Sequence, residues 1–400
     1  MDPKHLMKAH AYQNVPLCYD EAYALGQMAL RGCKELTFFD RMFKKRKRLD
    51  QRLAQIQSIA TLCALHSRAT YSWQWNKHDA SQHSHDLPQS AAEMIAGICA
   101  SIFQEDIAKS ESGFLRPAVD VVMDNCGMGG DLIVTANVST IAALIAASAG
   151  IPMCKHGSPA NADQGRHGSS DFVEMLGINT MAPRSVVEAC VERHNFGYTE
   201  ALDVRYKHIH LQTHKVAQLP HMNDLIGPIT NPVDPSILRR RVLGVNHLVS
   251  PTVVAEAYKI MNERGVTKLE RGVFVRGYVV QGEEHGMDEL SLCPGGTAVA
   301  RLEDGEVSSG HIWASDFGLS PVDPKSISPP AGMSKGEFSL RILERKETSE
   351  VTSMVLANAA LLFQLHAGGS LKEAFGRARE AFEGNDVMAV VRAVAQATKA

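Results

Sequence analysis

The chain has 400 residues, 44% of them hydrophobic and 21% charged, with a formal net charge of −3. That length exceeds one ordinary core and predicts a large domain accompanied by a smaller one. The near-neutral charge provides no global field for nucleic acid or a membrane surface. Eight cysteines lie scattered without a CxxC pair, which reads as packed, reduced thiols rather than a disulfide frame. The N-terminal Met-Asp-Pro-Lys-His lacks the apolar core of a signal peptide. The most apolar run, Ile141 to Met153, is too short to span a bilayer. The expectation is a soluble, cytoplasmic protein.

In chain order, residues up to about Phe114 carry a 3.6-residue apolar period with almost no strand character. Asp20 to Leu30 and Leu53 to Leu65 read as amphipathic helices. Ser90-Ala-Ala-Glu93 reads as a capping box opening another. Between them, Tyr71 to Pro88, with Trp73, Trp75 and several histidines, reads as a polar loop. From Val119 the texture changes. Asp120-Val-Val-Met123 predicts a short strand, Thr140 to Ser148 a small-residue helix, and Ile151 to Cys154 another strand. Strands alternating with helices predict an α/β fold with a mostly parallel sheet. Gly272 to Val280 predicts one long strand or a pair. Asp304-Gly305 marks a hairpin within Val299 to Val307. The segment from Glu350 to Ala400 is helical again, stopped at Gly368-Gly369.

The most informative stretch is Asp124-Asn-Cys-Gly127-Met-Gly129-Gly130-Asp131, followed by Asn137-Val-Ser139-Thr140 and Lys155-His156-Gly157. A strand ends in a glycine turn, a hydroxyl-rich helix start follows, and a second strand ends in a cation. Glycines let backbone N–H groups approach oxyanions, and a helix N-terminus adds a favourable dipole. Taken alone, the glycine turn fits an ordinary strand–helix connection. No Gly-Lys-Ser/Thr follows to make a Walker loop, and the third glycine of a dinucleotide fingerprint is absent. The joint pattern points to a phosphorylated, pyrophosphate-bearing ligand.

On these residues the chain resembles the anthranilate phosphoribosyltransferases and their nucleoside phosphorylase-like relatives (glycosyltransferase family 3). Further blocks in the family's order are Gly168-Ser169-Ser170-Asp171 with Leu176-Gly177, Ile226-Gly-Pro-Ile-Thr-Asn231-Pro232, Leu243-Gly244-Val245, Gly286-Met-Asp288-Glu289 and Asn358-Ala-Ala360. The likeness runs from about residue 18 to the end, with an enlargement between about 37 and 89. It implies an N-terminal helical domain over 1–116, joined in space by part of 200–232 and hinged to an α/β domain over 117–400, with the active site in the cleft. It also implies a Mg²⁺-dependent homodimer that transfers ribose 5-phosphate from 5-phosphoribosyl 1-pyrophosphate to an aromatic amine. With anthranilate as that amine, the reaction belongs to tryptophan biosynthesis.

The residues fit that chemistry as follows. Displacing pyrophosphate from an anomeric carbon requires a stabilised leaving group and a positioned amine. Gly127, Gly129 and Gly130 offer backbone donors, and Asp131 a hold on a ribose hydroxyl or a metal-bound water. Asn137, Ser139 and Thr140 sit at a helix start, Lys155 supplies a point charge, and Ser169 joins the donor set. Asp288 and Glu289, with Ser139, are the expected magnesium ligands. The acceptor side is assigned to His156, Ser158, Arg205 and His214. It departs from the family pattern: Ser158 stands where Asn is usual, Gly197-Tyr-Thr-Glu200-Ala-Leu202 replaces an aromatic motif, and the carboxylate-pairing arginine falls near His214. Arg205, Lys207 or Arg166 are candidates to compensate.

Other features read more plainly. Lys44-Lys-Arg-Lys-Arg48 is taken as a solvated helix end rather than a nucleic-acid patch, and His78, His83 and His85 as an exposed loop rather than a metal site. His208, His210 and His214 lie in the acceptor segment. A nucleoside phosphorylase-type enzyme and a non-catalytic nucleic-acid-binding relative are the competing readings.

Overall fold

The computed structural model describes residues 17–33, 45–78, 86–129, 131, 133–159, 168–210, 222–280, 286–347 and 350–399. The chain forms two compact units, one of residues 1–114, 201–232 and 256–267, the other of 115–200, 233–255 and 268–400.

The first unit is helical. Helix α1 (Tyr19–Cys33) packs on α2 (Lys45–His78) and α3 (Asp86–Ser101). Small residues set that closeness: a Cβ on Gly97 would lie 2.3 Å from the Tyr19 carbonyl, and one on Gly32 would lie 2.4 Å from the Ala54 carbonyl. A π-helical turn, Ile102–Ile107, follows α3. Its buried Asp106 accepts from the backbone N–H groups of His208 and Ile209 and meets His208 Nδ1 at 2.9 Å. Those bonds fasten a segment far downstream in the chain to the N-terminal helices. The predicted loop from Tyr71 is helical instead as far as His78, because no Gly or Pro interrupts that stretch. His83 and His85 lie outside the described residues, as does Lys44.

The second unit is built on an eight-stranded sheet. In chain order the strands are β1 (Val122–Gly127), β2 (Met153–Gly157), β3 (Phe196–Glu200), β4 (Leu238–Gly244), β5 (Arg271–Tyr278), β6 (Gly286–Met287), β7 (Thr297–Glu303) and β8 (Glu306–Ile312). Their spatial order is β3-β2-β1-β4-β5-β7-β8, with β6 beside β5. The pairings among β1 to β5 are parallel, and those of β5 with β6 and β7, and of β7 with β8, are antiparallel. Asp304 and Gly305 both take positive φ, 50° and 80°, as the expected hairpin between β7 and β8 requires. The first strand runs beyond its predicted end at Met123, through Asp124 and Asn125 to Gly127, because flanking strands satisfy its backbone on both sides.

Between Thr140 and Ser148, helix α4 (Val138–Ser148) consists only of Ala, Ile and Leu, and it is buried along nearly its whole length. It lies in the main core with α10 (Glu350–Ala367), α11 (Leu371–Gly384) and α12 (Val387–Thr398). Short α5 (Ser169–Met175) follows β2, α6 (Arg184–His194) precedes β3, and α7 (Asn223–Ile229) and α8 (Pro251–Glu263) flank β4 in sequence. Helix α9 (Lys335–Leu343) precedes α10. Among the described residues no single helix is long and apolar enough to cross a membrane.

Candidate active site

Neighbouring parallel strands β1 and β4 both end in glycine, at Gly127 and Gly244, paired in register. The reason is Asp288, which follows β6 and lies across both strand ends. A Cβ at Gly127 would sit 2.0 Å from Asp288 Oδ2, and one at Gly244 only 1.5 Å from the Asp288 carbonyl oxygen. Gly129, at φ +75°, donates its N–H to Asp288 Oδ2 at 2.5 Å. Asp288 N in turn donates to Asp131 Oδ1 at 2.7 Å. Glu289 Oε2 faces Thr135 Oγ1 at 3.4 Å, and the next residue, Leu290, is clamped through both backbone groups by Asn358 of α10.

The outcome is three carboxylates, Asp131, Asp288 and Glu289, offering one oxygen each within 4.8 Å of one another. Asp288 and Glu289 are both buried. Burial and then the Asp288 charge push Glu289 up to about 8, against the pull of Lys335, Thr135 and Lys155. Burial, followed by Asp288 and Glu289, likewise raises Asp131 well above the usual carboxylate range. Like charges this close in a poorly hydrated place resist joint ionisation. A small divalent cation would relieve that, and an all-oxygen, all-carboxylate donor set suits magnesium.

Beside the acids stands a cationic, hydroxyl-rich wall. Lys155 of β2 is almost completely buried, and its Nζ donates to the Asn125 carbonyl at 2.6 Å and to Ser139 Oγ at 3.1 Å. Burial lowers its pKa from the ordinary lysine value. Asn125 Nδ2 donates to the Ser139 carbonyl at 2.7 Å. Two buried polar atoms here, Asn125 Oδ1 and Thr140 Oγ1, have no hydrogen-bond partner among the described residues. Asn137, at the N-cap of α4, does not cap the helix with its side chain. Its N–H and its Nδ2 instead donate to Ser339 Oγ of α9, at 2.8 and 3.2 Å. Ser169 Oγ pairs with Tyr198 OH at 3.0 Å, and both fill the space a side chain on Gly157 would need.

The residues expected at the acceptor are engaged elsewhere in part. Arg205 belongs to the helical unit, where its Nε and Nη2 fork onto Asp203 at 2.9 and 2.6 Å. Lys207 donates to the Gly227 and Thr230 carbonyls and to Thr230 Oγ1. Ser158 is exposed, and its carbonyl accepts from Ser170 N. His156 points to the opposite sheet face from Lys155, its Nδ1 3.4 Å from Asp124 Oδ2. Gly130, Arg166 and His214 lie outside the described residues. Ser139, expected at the metal as well, has its hydroxyl on Lys155.

Several members of this arrangement carried no sequence signal. Thr135, Lys335 and Ser339 sit in stretches with no motif. Asn358 stands in a recognised block, but its role as the clamp on Leu290 was not legible there. Arg241, the last of three consecutive arginines, carried no signal either, and it lies fully buried in the strand.

The strand ends thus gather three acids, with a buried lysine beside a hydroxyl-rich helix start. A family model described as the glycosyl transferase family a/b domain matches residues 119–385. The chain belongs to this family, that of the anthranilate phosphoribosyltransferases, and is an enzyme of the phosphoribosyltransferase class. It is similar to the anthranilate phosphoribosyltransferase of Petrotoga mobilis, 30% identical over 268 residues that cover 67% of this chain and 73% of the relative. With the enzyme of that name from Helicobacter pylori it is 33% identical over 266 residues, 65% and 72% of the two chains. In fold it is similar to the anthranilate phosphoribosyltransferase of Thermus thermophilus, with a TM-score of 0.71 at 24% identity over 100% of both chains. The Saccharomyces cerevisiae enzyme in complex with PRPP and Mg gives a TM-score of 0.70 at 20% identity, covering 99% of this chain and 98% of that one.

Proposed function

We propose that the protein transfers ribose 5-phosphate from 5-phosphoribosyl 1-pyrophosphate to an aromatic amine, anthranilate first among them, with Mg²⁺ as cofactor and pyrophosphate as product. The observation that carries this reading is the triad Asp131, Asp288 and Glu289 beside buried Lys155. The relatives' names and the donor and magnesium bound in the yeast structure support it. Asp131, Asp288 and Glu289 would hold the cation. When bound, it offsets the negative charge that gathers on the departing pyrophosphate.

The chain's own groups do the rest. Lys155 adds a fixed positive charge to the phosphate side, already oriented by Asn125 and Ser139. Among the described residues Thr140 Oγ1 and Asn125 Oδ1 have no partner; the hydroxyl can donate to a phosphate oxygen, and the amide oxygen can accept from a ribose hydroxyl or a water. The α4 N-terminus adds its dipole. Arg205 is already paired with Asp203, and Lys207 is bonded to carbonyls. Anthranilate is therefore to be tested beside uncharged aromatic amines. The homodimer implied by the family resemblance belongs to the same reading, and light scattering of the intact protein checks it.

The test is pyrophosphate release across a panel of aromatic amines with and without Mg²⁺. Asp288→Asn with Glu289→Gln is expected to lower the metal-dependent rate at least about a hundredfold, the scale of losing leaving-group charge stabilisation, with the fold unchanged by circular dichroism. Turnover of nucleosides with phosphate, undiminished in that double variant, would favour the phosphorylase reading instead.

A further inference from the structure

On the sheet face opposite Lys155 lies a second polar cluster, buried in the middle of β1, β2 and β4. Register and alternation put Asp124, Cys126, His156 and Arg241 on one side. Asp124 and Arg241 are fully buried, and Arg241 Nη2 stands 2.8 Å from Asp124 Oδ2 and 3.2 Å from Cys126 Sγ. The same carboxylate oxygen lies 3.4 Å from His156 Nδ1, and His156 is 3% exposed. Asp124, Cys126 and His156 place ligand atoms within 4.8 Å of one another, as a metal site would. The guanidinium already touches two of the three, so a cation occupies the place a metal would need. Burial also pushes the Cys126 thiol up to about 11, which keeps it protonated.

A buried ion pair is a poor device for stability alone, since apolar residues of similar volume often serve as well or better. This one has a specific neighbour. His156 sits near the C-terminal end of β2, the end at which Gly127 and Gly244 open onto the acids. In open α/β sheets that is the ligand-binding edge. The ionised carboxylate that Arg241 faces can only accept, and among the described residues neither Asp124 oxygen has a hydrogen-bond partner, which leaves the carboxylate open to a donor on the ring. Burial opposes ionisation of Asp124, but Arg241, His156 and Lys155 together hold its carboxyl down at about 2.

We propose that Asp124 and Arg241 are positioning residues: the guanidinium fixes the carboxylate, which fixes His156 as the Nδ1–H tautomer, so that Nε2 is the ring's accepting nitrogen at the ligand edge. An accepting Nε2 suits a hydrogen bond from the N–H of an aromatic amine acceptor, or the proton that amine releases as it attacks. Only this kinetic consequence rests on the phosphoribosyl-transfer reading; the tautomer does not.

The experiment labels the full chain with ¹⁵N-histidine and assigns His156 by its loss in His156→Gln. Long-range ¹H–¹⁵N correlation then reads which ring nitrogen bears the proton. The wild-type ring is expected to show protonated Nδ1 and bare Nε2; a ring protonated on Nε2 alone overturns the proposal. The partner variant is Asp124→Leu with Arg241→Met, which removes both charges together and puts apolar side chains in their place. It is expected to fold, to move His156 to Nε2–H or to an exchanging mixture, and to lower kcat at least about tenfold with the donor KM within about twofold. Retention of the Nδ1–H signature with full kcat in the double variant also overturns it. Should that variant fail to fold, the wild-type tautomer decides. Should no amine release pyrophosphate in the wild type, the transfer reading fails while the tautomer result stands.

Discussion

Gly127, Gly129 and Asp131 illustrate how a motif read locally leaves out contacts that its own residues make. Read locally, the glycines are backbone donors for a ligand oxyanion. In the folded chain Gly129 already gives its N–H to an anion, the carboxylate of Asp288, 159 residues away. Gly127 lacks a side chain because Asp288 lies against it. No local pattern encodes that packing. Nor does crowding restrict Gly129, since a Cβ there would meet nothing within 4 Å; the restriction is its positive φ. Thr140 was legible as a helix-start hydroxyl, and the structure adds that Oγ1 is buried and unpartnered. A sharp expectation follows. Thr140→Val replaces a buried hydroxyl that has no partner among the described residues, so the free protein should be at least as stable as wild type. Donor affinity should fall severalfold, as loss of one bond worth about 1 kcal/mol implies. Calorimetric titration of the donor with Mg²⁺ present, beside denaturant unfolding, separates the two effects.

Among the elements, regular amphipathic or alternating segments were legible and tertiary context reset their limits. The β7–β8 hairpin was written in Asp304-Gly305, whereas β1 continues through polar Asp124 and Asn125 because Lys155, Ser139, Arg241 and His156 receive them. Helix α9 is the least expected element near the site. Its Ser334 caps the Glu337 N–H, and Ser339, one turn in, accepts both the N–H and the Nδ2 of Asn137. Lys335 in its first turn acts on Glu289. The helix therefore fixes the start of α4 and adds positive charge beside the acids. Ser339→Ala would leave the buried Asn137 N–H without its acceptor, a loss of about 1–3 kcal/mol. The expected result is a lower denaturant midpoint with an unchanged slope, together with a raised donor KM. A variant as stable as wild type would show that Asn137 finds another acceptor.

Across the whole molecule, alternation of strands and helices announced a mostly parallel sheet, but not that β1 lies centrally with β2 and β4 on either side. That order is what brings a loop near residue 288 onto a turn near residue 128, and so gathers acids from two distant segments. The same gathering makes stability depend on pH in a definite direction. Glu289 has its folded-state pKa raised to about 8 from 4.5, so between those values the folded chain binds a proton that the unfolded chain has lost. Stability present below about pH 4.5 is then lost as pH rises, at up to about 1.4 kcal/mol per pH unit for one such group. Asp131 is raised as well and acts in the same sense. Asp124 acts oppositely, its folded pKa depressed to about 2, so its contribution is present above about pH 4 and is lost toward pH 2. Metal-free protein should accordingly unfold at a lower temperature at pH 8.5 than at pH 6. Mg²⁺ binds the ionised acids and should release protons on binding near neutrality. It should raise the unfolding temperature more at pH 8.5 than at pH 6, and the difference should vanish in Asp288→Asn with Glu289→Gln. Differential scanning calorimetry at both pH values, with and without Mg²⁺, reads each of these; equal stabilisation at the two would mean that the acids are not where the cation binds.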